Sequence, residues 1–311
     1  MELRNLRTFV RVAEEHSFTK AARQMGYTQA AVTHQIKQLE EELGLQLFER
    51  IHNQTKLTMF GEQLLPLVYN VIKGTDDISS FASDGLEIRG QLRIGTCTSM
   101  MESLLPDIFA EIQERHPLIQ TTVLTGTTPD SADMLSRNEV DFMMVIDEKI
   151  NNPYLVRAAE REEPMDFVCG KKHPLAKKDR VTMEELVEHP FVVTETGVSY
   201  TLVLEKLLAE HNLAIQPFLE IGSTNVVIDL VKRGKAIAFL PHYIVADQLA
   251  DPKAPSRNKG LIKLNVDGGE ITLYDQVHFH KNKWITPQMQ EFLDLLCEKQ
   301  GFKNVTEGQA F

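Results

Sequence analysis

The stretch from Phe18 to Glu40, FTKAARQMGYTQAAVTHQIKQLE, restricts the fold of this chain more than any other. It predicts a short helix, a turn at Gly26 and a second helix from about Gln29 to Leu43. In the second helix Val32, Ile36, Leu39 and Leu43 recur at intervals of four, three and four, which gathers them into one buried stripe. Ala30, Thr33, His34 and Lys37 fall on the opposite face, which carries no acid. Thr28 stands where its side chain can cap the first free N–H groups. A helix held by one apolar side, with a short polar face at its N-terminal end, has the form that enters a DNA major groove.

The flanking residues extend this unit. Leu6, Phe9, Val10 and Ala13 predict a first helix over 4–15, and Ser17 or Thr19 can cap the next one. After Gly44 an apolar segment runs to Arg50, a turn-prone one runs from Ile51 to Lys56, and Leu57-Thr58 returns to the core, so a small hairpin or wing is expected. From Thr58 to about Gly90 the pattern is helical. Leu64, Val68, Val71, Thr75, Ile78 and Ala82 alternate spacings of four and three, as in a coiled-coil seam. Some thirty residues make roughly 45 Å of helix, more than a small winged domain can cover. Pro66 and Gly74 predict a kink or weak turn within it.

From Gln91 short apolar strands alternate with helices, the grammar of a mostly parallel α/β sheet. Two lobes are expected, lobe I over about 90–162 and 268–300 and lobe II over about 163–267, with connections near 161–164 and 265–274. A cleft between such lobes is a usual place for a small ligand.

The net charge of −11 is unevenly divided. Residues 1–58 hold eight bases and seven acids, so the remainder carries −12. One anion-facing end suits this asymmetry, and its weak charge predicts modest DNA affinity per copy, helped by dimerisation. No run approaches the ~20 apolar residues of a membrane helix, and Met1–Asn5 lacks signal-peptide character. A cytoplasmic protein without membrane association is expected. Cys97, Cys169 and Cys297 are too few and too scattered for a disulfide framework or a C-x-x-C metal site, and no cofactor is called for.

Two rival readings stay open on the residues alone. An enzyme could use His278 and His280, which share a face if they lie in a strand, although no acid or cysteine stands at a recognisable spacing and no nucleotide-, nucleophile- or zinc-binding motif is present. A thiol redox sensor could use Cys97 or Cys169, given a reactive, exposed thiol.

Residues 6–10 (LRTFV), 17–22 (SFTKAA), 28–40, Glu42-Leu43-Gly44, Leu47–Arg50 and Leu57-Thr58 together resemble the LysR-type transcriptional regulators. Leu92–Gly95, Leu104-Leu105-Pro106, His116-Pro117, His173–Ala176 and Leu240-Pro241 follow in the order of that family. The resemblance implies a winged helix-turn-helix (1–58), a linker and dimerisation helix (59–89) and a two-lobed periplasmic-binding-protein-like effector domain (90–311). It also implies a homodimer or a dimer of dimers on double-stranded promoter DNA, switched by a small-molecule effector, with RNA polymerase as an optional further partner. Gln29, Thr33, His34 and Lys37 match the family's base- and phosphate-contacting face. Ala30 stands where proline or serine is frequent and His34 where arginine is frequent. Arg50 and Lys56 belong to a wing that is otherwise poor in arginine. Leu64, Val68, Val71 and Ile78 would pair the protomers. Thr98, Ser99, Thr127, Thr196, Ser199, Ser223 and Thr224 match cleft-lining positions. Hydroxyls and helix N-termini there favour an anionic effector, a carboxylate by preference.

Overall fold

In a computed structural model of the chain, which describes residues 1–51, 54–81, 88–194, 199–249 and 260–305, the opening helices form as their sequence predicts. Helices α1 (Leu3–Glu15), α2 (Phe18–Met25) and α3 (Gln29–Leu43) enclose Leu6, Phe9, Val12, Ala21, Ala22, Val32, Ile36 and Leu39, all nearly inaccessible to solvent. The Ser17 hydroxyl accepts the Lys20 N–H, and the Thr28 hydroxyl accepts the Ala31 N–H. Gly26 and Gly44 end α2 and α3 in the left-handed region at φ 68°, where a side chain is strained.

A polar contact that periodicity does not reveal ties α1 to α3. The Thr8 hydroxyl donates to Gln35 Oε1 at 2.6 Å, and both residues are buried. Thr8→Val strands that oxygen, so urea unfolding of this unit is expected to lose about 1–3 kcal/mol; no change in its midpoint would show that the contact contributes nothing.

The wing pairs β1 (Phe48–Ile51) with β2 (Gln54–Leu57) antiparallel, Phe48 opposite Leu57 and Arg50 opposite Thr55. Phe48 docks its ring 5.4 Å from Phe9 and 5.5 Å from Phe18, which fixes the wing to the helices. The tip, His52 and Asn53, and the side chain of Arg50 lie outside the described residues.

Helix α4 (Met59–Phe81) runs on without interruption through Pro66 and Gly74. A Cβ on Gly61 would stand 2.3 Å from the Leu47 carbonyl oxygen, so only glycine lets α4 approach the chain this closely. The expected seam divides here. Val68 is 2% exposed in the core of its own domain, and Leu64 packs against the same cluster. Val68 is therefore removed from the candidate pairing surface, while Leu64 is half-buried beside that core. Val71 (45% exposed) and Ile78 (69%) do face outward, joined by Leu67 (60%), which the spacing argument passed over. The register is rotated because the first turns of α4 spend one apolar stripe on the winged domain. Ala82 lies outside the described residues.

Residues 91–311 make up most of a second unit, considered by itself. Its elements are β3 (Arg89–Thr96), α5 (Thr98–Arg115), β4 (Leu118–Thr125), α6 (Thr128–Ser136), β5 (Phe142–Asp147), β6 (Leu155–Gly170), α7 (Met183–Val187), β7 (Val192–Val193), α8 (Ser199–Glu210), β8 (Leu219–Glu220), α9 (Thr224–Lys232), β9 (Ile237–Pro241), α10 (His242–Val245), β10 (Leu261–Lys263), β11 (Ile271–His280), α11 (Pro287–Gln300) and β12 (Lys303–Asn304). The main sheet runs β10-β6-β11-β5-β3-β4, with β9 and β12 also on β6, and β7 and β8 form a separate parallel pair.

The class is α/β as expected, but the sheet is not mostly parallel. The pairing of β3 with β5 is parallel, whereas β6 is antiparallel to β9, β10, β11 and β12. Parallel pairing needs a covered crossover, which the β3-α5-β4-α6-β5 run supplies; β11, in contrast, returns directly alongside β6. Residues 161–164 lie inside the unbroken β6, so the passage between the two halves of this unit is made by sheet. No helix among the described residues is long and apolar enough to cross a membrane.

Candidate functional sites

The first site is the exposed face of α3. Gln29, Ala30, His34 and Lys37 are exposed, and Thr33 is half-buried with its hydroxyl donating to the Gln29 carbonyl. The Gln29 side chain accepts from the Thr19 hydroxyl at 3.0 Å, which steadies it at the start of the helix. Glu40, on the same helix, is held by the wing: its Oε1 accepts the N–H groups of Leu47 (2.8 Å) and Phe48 (3.3 Å) at its root. A groove lined by Phe18, Thr33, Lys37, Glu40, Glu49 and Thr55 separates α3 from β2, and Lys56 is exposed on that strand. Lys20 and Arg23 on α2 are also exposed. The helical pattern carried no signal that singled them out.

The second site is a cavity of about 150 Å³ in the α/β unit. It is bounded on one side by Cys97, Thr98, Ser99 and Thr125–Thr127, and on the other by Thr194, Tyr200, Gly222 and Thr224. The starts of α5, α6, α8 and α9 converge there because each follows the carboxyl end of a strand or its loop, the usual ligand position in α/β sheets. Thr98, Ser99, Thr127 and Thr224 are thus brought together from three separate segments. Ser223 precedes α9 outside the lining, and Thr196 lies outside the described residues.

Several of these hydroxyls already have partners. Thr127 donates both its N–H (2.9 Å) and its hydroxyl (2.6 Å) to Asp130 Oδ2, and these bonds hold the Asp130 carboxyl below the ordinary carboxylate range. Ser199 sits at the rim, where it donates to Asp147 Oδ2 at 2.6 Å and lies 3.1 Å from the Thr128 hydroxyl. It therefore ties the start of α8 to the end of β5 and the start of α6. Ser99 Oγ is 3.0 Å from Tyr243 Oη and 3.3 Å from Cys97 Sγ. Sequence reasoning missed Tyr200, Thr194, Asp147 and Tyr243. Thr194 and Asp147 stand at strand ends and could have been found by that rule, whereas nothing local marks Tyr243.

Tyr243 connects the cavity to a buried charge cluster. Its N–H donates to Glu163 Oε1 at 2.8 Å. Glu163 Oε2 and Asp275 Oδ2 share the Arg161 guanidinium, at 3.1 and 2.5 Å from Nη2. Arg161 on β6 stands directly opposite Asp275 on β11. Burial pushes the Asp275 carboxyl up to about 8, opposed by Arg161 and reinforced by Glu163. Two buried carboxylates on one cation give this direction its physical sense: one of them is held as the acid.

The rival chemistries find little support in this arrangement. Burial pushes the Cys97 and Cys169 thiols up, Cys169 to about 12, away from the thiolate a reactive cysteine needs. His278 is buried and burial lowers it to about 4, and it lies 3.4 Å from Gln276 Oε1. Among the described residues no cluster of three His, Cys, Asp or Glu could hold a metal.

Comparison with known proteins identifies the family of both domains. Residues 3–62 match the bacterial regulatory helix-turn-helix protein, lysR family, and residues 86–301 match the LysR substrate binding domain. The chain is 34% identical to the HTH-type transcriptional regulator YusT of Bacillus subtilis over 81% of its own length and 82% of the relative's. It is 27% identical to the HTH-type transcriptional activator CmpR of a Synechocystis species over 94% of both chains. Among solved structures it resembles full-length OxyR of Pseudomonas aeruginosa, with a TM-score of 0.70 at 19% identity, covering 96% of this chain and 95% of that one. It also resembles CbnR in complex with its target DNA, with a TM-score of 0.66 at 17% identity, covering 94% and 98%. The family and these relatives are transcriptional regulators and not enzymes. The chain therefore belongs to the LysR family, as a DNA-binding transcriptional regulator that joins a helix-turn-helix to a substrate-binding domain.

Proposed function

We propose that this regulator binds promoter DNA as paired protomers, with α3 in the major groove, and that an anionic effector in the hydroxyl-lined cavity switches it. The observation that carries the reading is the exposed face of the N-terminal half of α3, where Gln29, Ala30, His34 and Lys37 stand with no acid among them. In this reading residues 1–58 are the DNA-binding domain, 59–89 the pairing helix and 90–311 the effector domain, whose lobes meet at the cavity. Gln29 and His34 read base edges, while Lys37, Arg50 and Lys56 hold phosphate. Paired protomers, in a dimer or a dimer of dimers, set half-sites about 34 Å apart or a multiple of it.

Gel shift on the gene's own upstream DNA tests this. Gln29→Ala is expected to lose discrimination between operator and scrambled DNA by about 1–3 kcal/mol. Lys37→Ala is expected to weaken all sequences alike and flatten the salt slope by about one. Equal loss of discrimination from both variants would contradict the assignment.

A further inference from the structure

The cavity's lining narrows the chemistry of what it can hold, a step that rests on its being the effector site. Among the described residues the lining comprises seven hydroxyl side chains, one thiol and two glycines, with no lysine, arginine, histidine, aspartate or glutamate. Its volume is about 150 Å³, and an engineered cavity of about that size accepts a molecule as large as benzene. Thr127 is committed to Asp130, Ser99 to Tyr243 and Thr194 to Thr201. Thr224 differs. It is only 5% exposed, it lines the cavity, and its hydroxyl has no hydrogen-bond partner among the described residues. A hydroxyl in the cavity wall with no protein partner is free to donate to a ligand acceptor.

We propose that the effector is a compact monocarboxylate of about two to four carbons, held by the hydroxyls of Thr224 and Thr98 and by the first N–H groups of α5 and α9. The first N–H groups of a helix have no partner within it and carry the positive end of its dipole. Neutral donors of this kind can disperse one negative charge. A second carboxylate would be desolvated with no cation to meet it among the described lining residues. The Cys97 thiol, kept neutral by burial, adds no competing charge. An aromatic acid would set an apolar ring against hydroxyls.

Calorimetry on the full-length protein tests this with lactate, glycolate, malonate and benzoate as probes. Lactate or glycolate is expected to bind at least about tenfold more tightly than malonate or benzoate. Thr224→Val, which keeps the shape and removes the hydroxyl, is expected to weaken that binding about tenfold or more, a charge-assisted hydrogen bond's worth. Its thermal unfolding checks that it is folded. Tighter binding of malonate or benzoate, still sensitive to Thr224→Val, overturns the compact monoanion and keeps the cavity as the effector site. Binding that ignores both Thr224→Val and Thr98→Val overturns the site itself. Absence of lactate and glycolate binding at millimolar concentration overturns the proposed class.

Discussion

Ile78→Glu is expected to release free protomers in sedimentation velocity, whereas Val68→Glu is expected to unfold the winged domain. The two positions lie on one helix and in one apparent seam, yet they differ in what covers them. Val68 is 2% exposed within its own core, so a glutamate there is a buried, unpaired charge, and the loss is about 3–5 kcal/mol or more. Ile78 is 69% exposed and lies outside the packed core of its own domain. With Leu67 and Val71 it falls on a four-and-seven spacing, the a/d geometry of a two-stranded seam, and Gly74 between them leaves room for close approach. A charge there costs the protomer little and repels its copy across the seam. An unchanged mass for Ile78→Glu, with DNA binding intact, would remove α4 from the pairing surface. A stable, DNA-competent Val68→Glu would contradict the burial that defines this register.

Arg161→Met is the second large effect. It leaves Glu163 and Asp275 buried without their shared cation, and breaking such a cluster costs about 3–5 kcal/mol. The pH dependence carries the sign. The Asp275 carboxyl is raised in the folded protein to about 8, against an ordinary value of about 3.9. Such a group contributes stability that is fully present below about pH 4 and is lost as pH climbs through about 8. Thermal unfolding of the α/β unit should therefore fall across that window. Asp275→Asn, which cannot ionise, should flatten the fall, and Arg161→Met should carry it to higher pH because the cation that favours ionisation is gone. A slope unchanged in Asp275→Asn would assign the proton elsewhere in the cluster. The consequence reaches the cavity, because Glu163 holds the Tyr243 N–H and Tyr243 meets Ser99. Arg161→Met is thus also expected to loosen ligand binding while leaving the DNA-binding unit untouched.

Much of this protein was legible in its residues because the relevant physics is local. Apolar spacing set α1 to α3, Ser17 and Thr28 capped helices where hydroxyls can, and the alternation of strands and helices announced an α/β unit. Four of the proposed cleft residues, Thr98, Ser99, Thr127 and Thr224, line one cavity because loops at the carboxyl ends of strands converge.

What only the tertiary structure decided is who occupies each surface. Val68 and Ile78 have equal claims to a seam until the winged core takes one of them. Thr127 and Ser199 look like ligand donors until Asp130 and Asp147 take their hydroxyls. Gln35 looks like a surface residue until Thr8 meets it, and Tyr243 has no marked role until α10 carries it to Ser99. Each depends on partners 3 to 144 residues away along the chain. Periodicity reports which way a side chain points, but not what stands opposite it.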